Sequence, residues 1–188
     1  MVCDIQERFR PLIWRCANVI TAASTLTRVS ALLEVPVIVT EQNPGRLGST
    51  VDEVKSHVPA HSFVQPKMKF SMVSQEVEQR LTHTHSAEHV ILCGIEAHVC
   101  VQQTALDLLR MGIQVHIVVD AVSSQRQGDR AVALANLSAA GAALTTTEAV
   151  VFQLLEDASH PKFKEVQKII IEHNEATKGL QPGLDTLA

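Results

Sequence analysis

H-V-I-L-C-G (89–94), the segment 97–111 and I-Q-V-H-I-V-V-D (113–120) together decide the fold. The two flanking runs are short, apolar and rich in β-branched residues, the composition of strands covered on both faces. Between them apolar residues recur at helical spacing until Met111-Gly112, where the glycine stops the helix. Strand, helix, strand in this order is a βαβ unit, and its crossover is expected to be right-handed.

The alternation continues on both sides of this unit. Residues 16–33 read as a helix, V-P-V-I-V-T (35–40) as a buried strand, and E-Q-N-P-G-R-L-G-S-T (41–50) as a loop of turn residues. His61–Val64 forms a short strand, and Ser71 or Ser74 caps a helix through V-S-Q-E-V-E-Q-R-L. Downstream, an Ala- and Leu-rich helix over 127–140 halts at Gly141, and A-A-L-T (142–145) is another short strand. Thr145 and Glu148 are expected to form the capping box that opens A-V-V-F-Q-L-L-E. Ser159-His160-Pro161 then starts a last helix reaching about residue 173. Such alternation implies one α/β domain, a mostly parallel sheet with helices on both faces. The domain is assigned to 1–175, with 176–188 a flexible tail rich in Gly, Pro and Asp. Only Met1, Val2 and Cys3 precede Asp4, where a buried strand takes about five residues, so residues upstream of Met1 are expected to belong to that strand.

The composition narrows the partners. With 188 residues, 46% hydrophobic and 19% charged, the chain is long enough to bury a core without staples. Sixteen Lys and Arg against 20 Asp and Glu give a net charge of −4, no footprint for a nucleic-acid backbone. Aromatics at 3% leave little material for base stacking. No window offers 18 uncharged apolar residues in a row, so a membrane span is excluded. Cys3, Cys16, Cys93 and Cys100 show no C-x-x-C pairing, as in an intracellular protein with free thiols. Cytoplasmic residence is expected. A mitochondrial leader is the alternative, suggested by Arg8, Arg10, Arg15 and Arg28 and opposed by Asp4 and Glu7. His83, His85 and His89 crowd into T-H-T-H-S-A-E-H, which reads as a solvated helix end and loop.

In an open parallel sheet, ligands bind where loops converge at the carboxyl ends of the strands. Three reactive residues fall just beyond such ends: Asp4 after the first strand, Lys67 in Q-P-K-M-K-F-S after the third, and Cys100 in G-I-E-A-H-V-C-V. A cysteine at a helix start meets the positive end of the dipole, which favours thiolate. A neighbouring lysine pushes the same way, and an aspartate can accept the thiol proton. Each residue also has a plain structural reading: Cys100 as inert core, Asp4 as a turn residue, Lys67 as a solvated charge. It is their joint placement that points to chemistry. His98 is read as a packing or hydrogen-bonding residue, Asp120 as a loop-positioning cap, and Cys3, Cys16 and Cys93 as buried structural thiols.

D-I-Q near the amino end, P-K-M-K-F-S, and G-I-E-A-H-V-C-V-Q-Q-T-A-L-D-L-L resemble the isochorismatase-like cysteine hydrolase superfamily. Within it, the chain is most similar to the isochorismatase domain-containing proteins. The resemblance extends through V-V-D-A-V-S-S, T-T-T-E-A-V and H-P-K-F-K-E-V-Q, and so covers residues 1 to about 172. It implies a three-layer α/β/α Rossmann-like sandwich and an Asp-Lys-Cys triad, here Asp4, Lys67 and Cys100. Lys67 is preferred to Lys69 because the family pattern K-x-x-[FY]-S, ending here at Ser71, sets the lysine four residues before the serine. The family also carries a non-proline cis peptide, which falls at Ile95–Glu96. That bond would aim the Glu96 N–H, with that of Cys100, at a developing oxyanion. Phe70 and the loop 41–50 are assigned as walls of the substrate pocket.

Two departures shape the expectation. The nicotinamidase branch builds a metal site from an Asp and two His after the second strand, and T-E-Q-N-P-G-R-L-G-S-T lacks histidine. No metal and no other cofactor is therefore expected. True isochorismatases carry glycine where Cys100 stands. What remains is a thiol hydrolase acting on a small carboxamide or related acyl compound through a thioester on Cys100. The other readings are a catalytically idle oligomeric binding or scaffold protein on the same fold, and, third, a nuclease. The resemblance also implies a homo-oligomer, since the superfamily often assembles through helical faces; for the scaffold reading the apolar helices 97–111 and 146–156 are the candidate faces.

Overall fold

The computed structural model describes residues 1–178. Six strands form one parallel sheet in the order β3-β2-β1-β4-β5-β6. They are β1 (Val2–Cys3), β2 (Ile38–Gln42), β3 (Phe63–Lys67), β4 (His89–Ile95), β5 (Gln114–Ser123) and β6 (Ala143–Thr145). Between and after them lie α1 (Cys16–Leu32), α2 (Pro44–Leu47), α3 (Asp52–Lys55), α4 (Gln75–Gln79), α5 (Gln102–Arg110), α6 (Gln127–Ala139), α7 (Thr147–Leu155) and α8 (Phe163–Thr177).

The period-two alternation of strand side chains splits the core in two. Val2, Val39, Cys93, Ile95 and Val118 point to the face covered by α1, α7 and α8. On the other face, Cys3, Ile38, Leu92, Ile117 and Val119 pack with Leu108 of α5 and with Leu134 and Leu137 of α6. The three layers expected from the alternating pattern are thus present, and β1 sits centrally although it is the shortest strand. Its order change, with β2 on one side and β4 on the other, creates the crevice at the carboxyl ends where ligands of such sheets bind.

Several boundaries differ from the sequence reading. β2 begins at Ile38 rather than Val35 and runs on to Gln42, and β3 covers 63–67, so Lys67 closes the strand instead of following it. The loop after β2 contains the short helices α2 and α3. Ser74 caps α4, its hydroxyl accepting from Val77 N. The expected Thr145–Glu148 capping box does not form. Thr145 is consumed by β6, where it pairs with Val118, and Thr146 caps α7 by accepting from Ala149 N. The last helix extends to Thr177, past the expected start of the tail, and residues 179–188 lie outside the described residues. Among the described residues no helix is long and apolar enough to cross a membrane.

Candidate active site

Asp4 leaves β1 with a left-handed backbone (φ 50°) and is fixed from both ends. Its N–H donates to Thr40 O at 3.1 Å, and the Thr40 hydroxyl donates to its Oδ1 at 2.8 Å. Lys67 Nζ donates to the other oxygen, Oδ2, at 2.7 Å, and both side chains are buried. A buried charge is tolerated only when paired and hydrogen-bonded. Here the ammonium also reaches Gln42 Oε1 (2.7 Å), Phe70 O (2.8 Å) and Lys69 O (3.1 Å), four acceptors for three N–H bonds. Lys69, the neighbouring lysine, points away to Asp107 (3.2 Å) and Val73 O (3.0 Å).

Cys100 arrives from the other side of the crevice. A wide turn of π-helix, Ala97–Val101, leads from β4 directly into α5 and carries the buried thiol. The turn is tied down at Glu96, whose carbonyl accepts from Val99 N and Val101 N at 3.1 Å, and the Ile95–Glu96 peptide is cis. The Glu96 carboxylate is engaged by Gln125 N at 2.9 Å. Thr104 links this segment to the lysine loop: its hydroxyl donates to Cys100 O (2.6 Å) and accepts from Met72 N (2.9 Å). His98 turns to Ser124, Nδ1 to Oγ 2.9 Å, and so is occupied elsewhere.

A residue read in the sequence as merely structural also belongs to this cluster. Cys3 Sγ donates to Asp4 Oδ2 at 3.6 Å, and Cys100 belongs to the same buried cluster beneath α5. Burial pushes the Cys3 thiol well above its ordinary range, and the neighbouring Cys100 and Asp4 push the same way. Its signal in the sequence was adjacency to Asp4 at the end of a buried strand. What periodicity does not show is that Cys3 faces α5. β4 permits this approach only because position 94 is glycine. Gly94 pairs with Cys3, has φ +121°, and a Cβ there would lie 2.1 Å from Cys3 O.

Phe70, assigned as a pocket wall, is 51% exposed beside this crevice, and its carbonyl holds Lys67. The carboxyl end of β2 does not suit a metal. Glu41 Oε1 accepts from Thr50 N and Oγ1 (2.7 and 2.8 Å), and Gln42 Oε1 is taken by Lys67. Among the described residues no three His, Cys, Asp or Glu gather as a metal ion requires. A separate cavity of about 290 Å³ opens at the amino-terminal ends of the strands, lined by Leu26, Val37 and Ile91. It contains none of the Asp4, Lys67 or Cys100 chemistry.

The isochorismatase domain matches residues 1–149. The chain belongs to the isochorismatase family. Over 185 residues it is 45% identical to the secreted isochorismatase effector Isc1 of Phytophthora sojae, covering 97% of this chain and 88% of that protein. Isochorismatase domain-containing protein 1 of Danio rerio is 48% identical over 168 residues, 89% of this chain but only 59% of that protein. Among solved structures, that of MAR1 ribonuclease from Caenorhabditis elegans superposes with a TM-score of 0.91 at 44% identity, covering 97% and 91% of the two chains. The family membership and the α/β/α sandwich read from the sequence are both borne out.

Proposed function

We propose that this isochorismatase-family chain is a cysteine-dependent hydrolase of small carboxamides or related acyl compounds, with Cys100 as nucleophile. The observation that carries this reading is the buried Lys67–Asp4 pair at 2.7 Å, set against the Cys3–Cys100 thiols at one end of the sheet. Asp4 accepts the Cys100 proton, and Lys67 supplies a fixed positive charge that favours the thiolate. The thiolate attacks the substrate carbonyl, and the N–H groups of Glu96 and Cys100 receive the oxyanion. Asp4 returns the proton to the departing amine, leaving a thioester on Cys100 that water cleaves. An oxyanion donor of this kind is worth about 3–4 kcal/mol of barrier. Phe70 and Met68, both exposed beside Lys67, would contact the substrate's apolar part.

The test needs no known substrate. The native protein is treated with limiting iodoacetamide at about pH 6, where an ordinary thiol is almost wholly protonated, and each cysteine is mapped by mass spectrometry. Cys100 should be labelled first. Burial holds Cys3, Cys16 and Cys93 as neutral thiols, Cys93 with its value pushed to about 11. Labelling of Cys100 no faster than Cys16 would turn the reading toward an idle scaffold. In a screen of small amides, Cys100→Ala should abolish turnover.

The likeness to a protein described as a ribonuclease favours phosphodiester cleavage as a second reading. The net charge of −4 argues against it. An RNA zymogram of the wild type and of Cys100→Ala separates the two: a band that survives the substitution belongs to neither triad nor thioester.

A further inference from the structure

The acyl-transfer mechanism has no use for Cys3, yet Cys3 is the thiol that donates to Asp4 and shares the buried cluster of Cys100. It is fully buried, donates to Asp4 Oδ2 at 3.6 Å, and packs with Cys100 in the same core cluster beneath α5. Its reach toward Cys100 is fixed by the backbone, because β1 lies against β4 with Cys3 paired to Gly94, six residues before Cys100 on the same strand-to-helix passage. Two thiols in one buried cluster, one beside a carboxylate that can take its proton, are the components of a dithiol switch.

We propose that Cys3 is a resolving thiol for Cys100: a hydroperoxide oxidises Cys100, and Cys3 closes a reversible Cys3–Cys100 disulfide that silences the site. The proposal rests on the reading of Cys100 as the reactive thiol. In the first step the Cys100 thiolate attacks one peroxide oxygen and the O–O bond breaks. Hydroxide or alkoxide leaves and takes up a proton, and Cys100 becomes a sulfenic acid, oxidised by two electrons. Next, Cys3 gives its proton to Asp4 and its sulfur attacks the Cys100 sulfur. The S–O bond breaks, and the departing hydroxide takes the proton from Asp4 to become water. Overall, two thiols and one hydroperoxide yield a disulfide, an alcohol or water, and water. Only Cys100 has to meet the oxidant, so the burial of Cys3 is no obstacle. Burial instead keeps Cys3 a neutral thiol until the sulfenic acid forms next to it. The disulfide withholds the nucleophile but preserves it from irreversible over-oxidation.

The full chain is exposed to hydrogen peroxide at neutral pH, quenched with N-ethylmaleimide under denaturing conditions, and digested with trypsin and a glutamate-specific protease. Cleavage at Glu96 separates Cys93 from Cys100. The expected product joins the Cys3 and Cys100 peptides with the loss of two hydrogens, and dithiothreitol restores both free thiols together with iodoacetamide labelling. In Cys3→Ser and Cys3→Ala the cross-link is lost and Cys100 accumulates as sulfinic acid. A wild type in which Cys100 reaches sulfinic acid while Cys3 is fully trapped by maleimide overturns the switch and leaves the hydrolase reading standing. So does a wild type whose Cys100 is labelled by iodoacetamide but ignores peroxide. A Cys100 inert to both reagents removes both proposals together.

Discussion

Lys67 Nζ and Asp4 Oδ2 stand 2.7 Å apart with their side chains 5% and 1% exposed, a charge pair almost entirely withdrawn from water. Removing one partner of such a pair strands the other, at a cost of about 3–5 kcal/mol. Lys67→Met and Asp4→Leu should each lower the unfolding free energy by that much, while the double variant, which buries no charge, should be less destabilised than the sum. Urea unfolding of the three proteins measures this. An additive double variant would mean that the ion pair contributes no coupling. Activity, by contrast, should be lost in all three.

The close passage of β1 against β4 makes a second expectation. Gly94→Ala would set a methyl group 2.1 Å from Cys3 O and 2.7 Å from Cys3 N, at a φ that side chains avoid. Both obstacles are backbone in the centre of the sheet, so no side chain can swing aside. The loss should exceed ~4 kcal/mol, the exceptional end of single substitutions. Gly128→Ala, in α6 with nothing within 4 Å of the added carbon, serves as the control. It should be neutral or gain up to about 1 kcal/mol, since alanine restricts the unfolded chain more than glycine. Thermal melts of both variants decide the matter.

The βαβ unit from β4 to β5 was the part most plainly written in the sequence, because strands buried on both faces leave unbroken apolar runs. Asp4 and Lys67 were legible as candidate site residues near strand ends, and the structure brings them into contact. Their choice over alternatives such as Lys69 came from family pattern, since no periodicity distinguishes two lysines two residues apart. Only the burial of one and the solvated Asp107 partner of the other do so. Cys3 was passed over for a related reason. Strand alternation says that Cys3 and Val2 face opposite sides, but the side that carries Cys100 is a matter of sheet order, which emerges only when β1 is placed between β2 and β4.

The T-T-T run at 145–147 misled for want of a register. Any of the three hydroxyls satisfies the sequence rule for a helix cap, and the pairing of Thr145 with Val118 removes the first from contention. Thr146 has the extended backbone of a cap (φ −115°, ψ 164°), and Thr147 is already helical. Thr146→Ala should therefore cost about 1 kcal/mol, the usual worth of such a cap. Thr145→Ala should leave the start of α7 unaffected. Chemical denaturation of the pair, with Thr146→Ser as a rescue, checks the assignment.

His173 of α8 gives the fold a dependence on pH. Its ring is buried, with Nδ1 3.2 Å from Thr25 Oγ1 and Nε2 4.0 Å from Asp120 Oδ2. Since the Thr25 hydroxyl donates to Thr21 O at 3.0 Å, its lone pair is left for the His173 Nδ1–H. Burial pushes the imidazole below its ordinary value of 6.5, outweighing Asp120 and Glu148, which pull it up. The folded state thus binds the proton more weakly than the unfolded state. Stability is fully present above about pH 6.5 and declines as pH falls below it, by at most ~1.4 kcal/mol per pH unit from this group. His116, also lowered by burial and by His89, adds to the same slope, so the measurement is a difference. Unfolding free energies at pH 7.5, 6.5 and 5.5 should fall less steeply in His173→Gln than in the wild type. Parallel slopes would assign the acid sensitivity to the amino-terminal ends of β4 and β5, where His116 and His89 meet, and not to the buried α1–α8 contact.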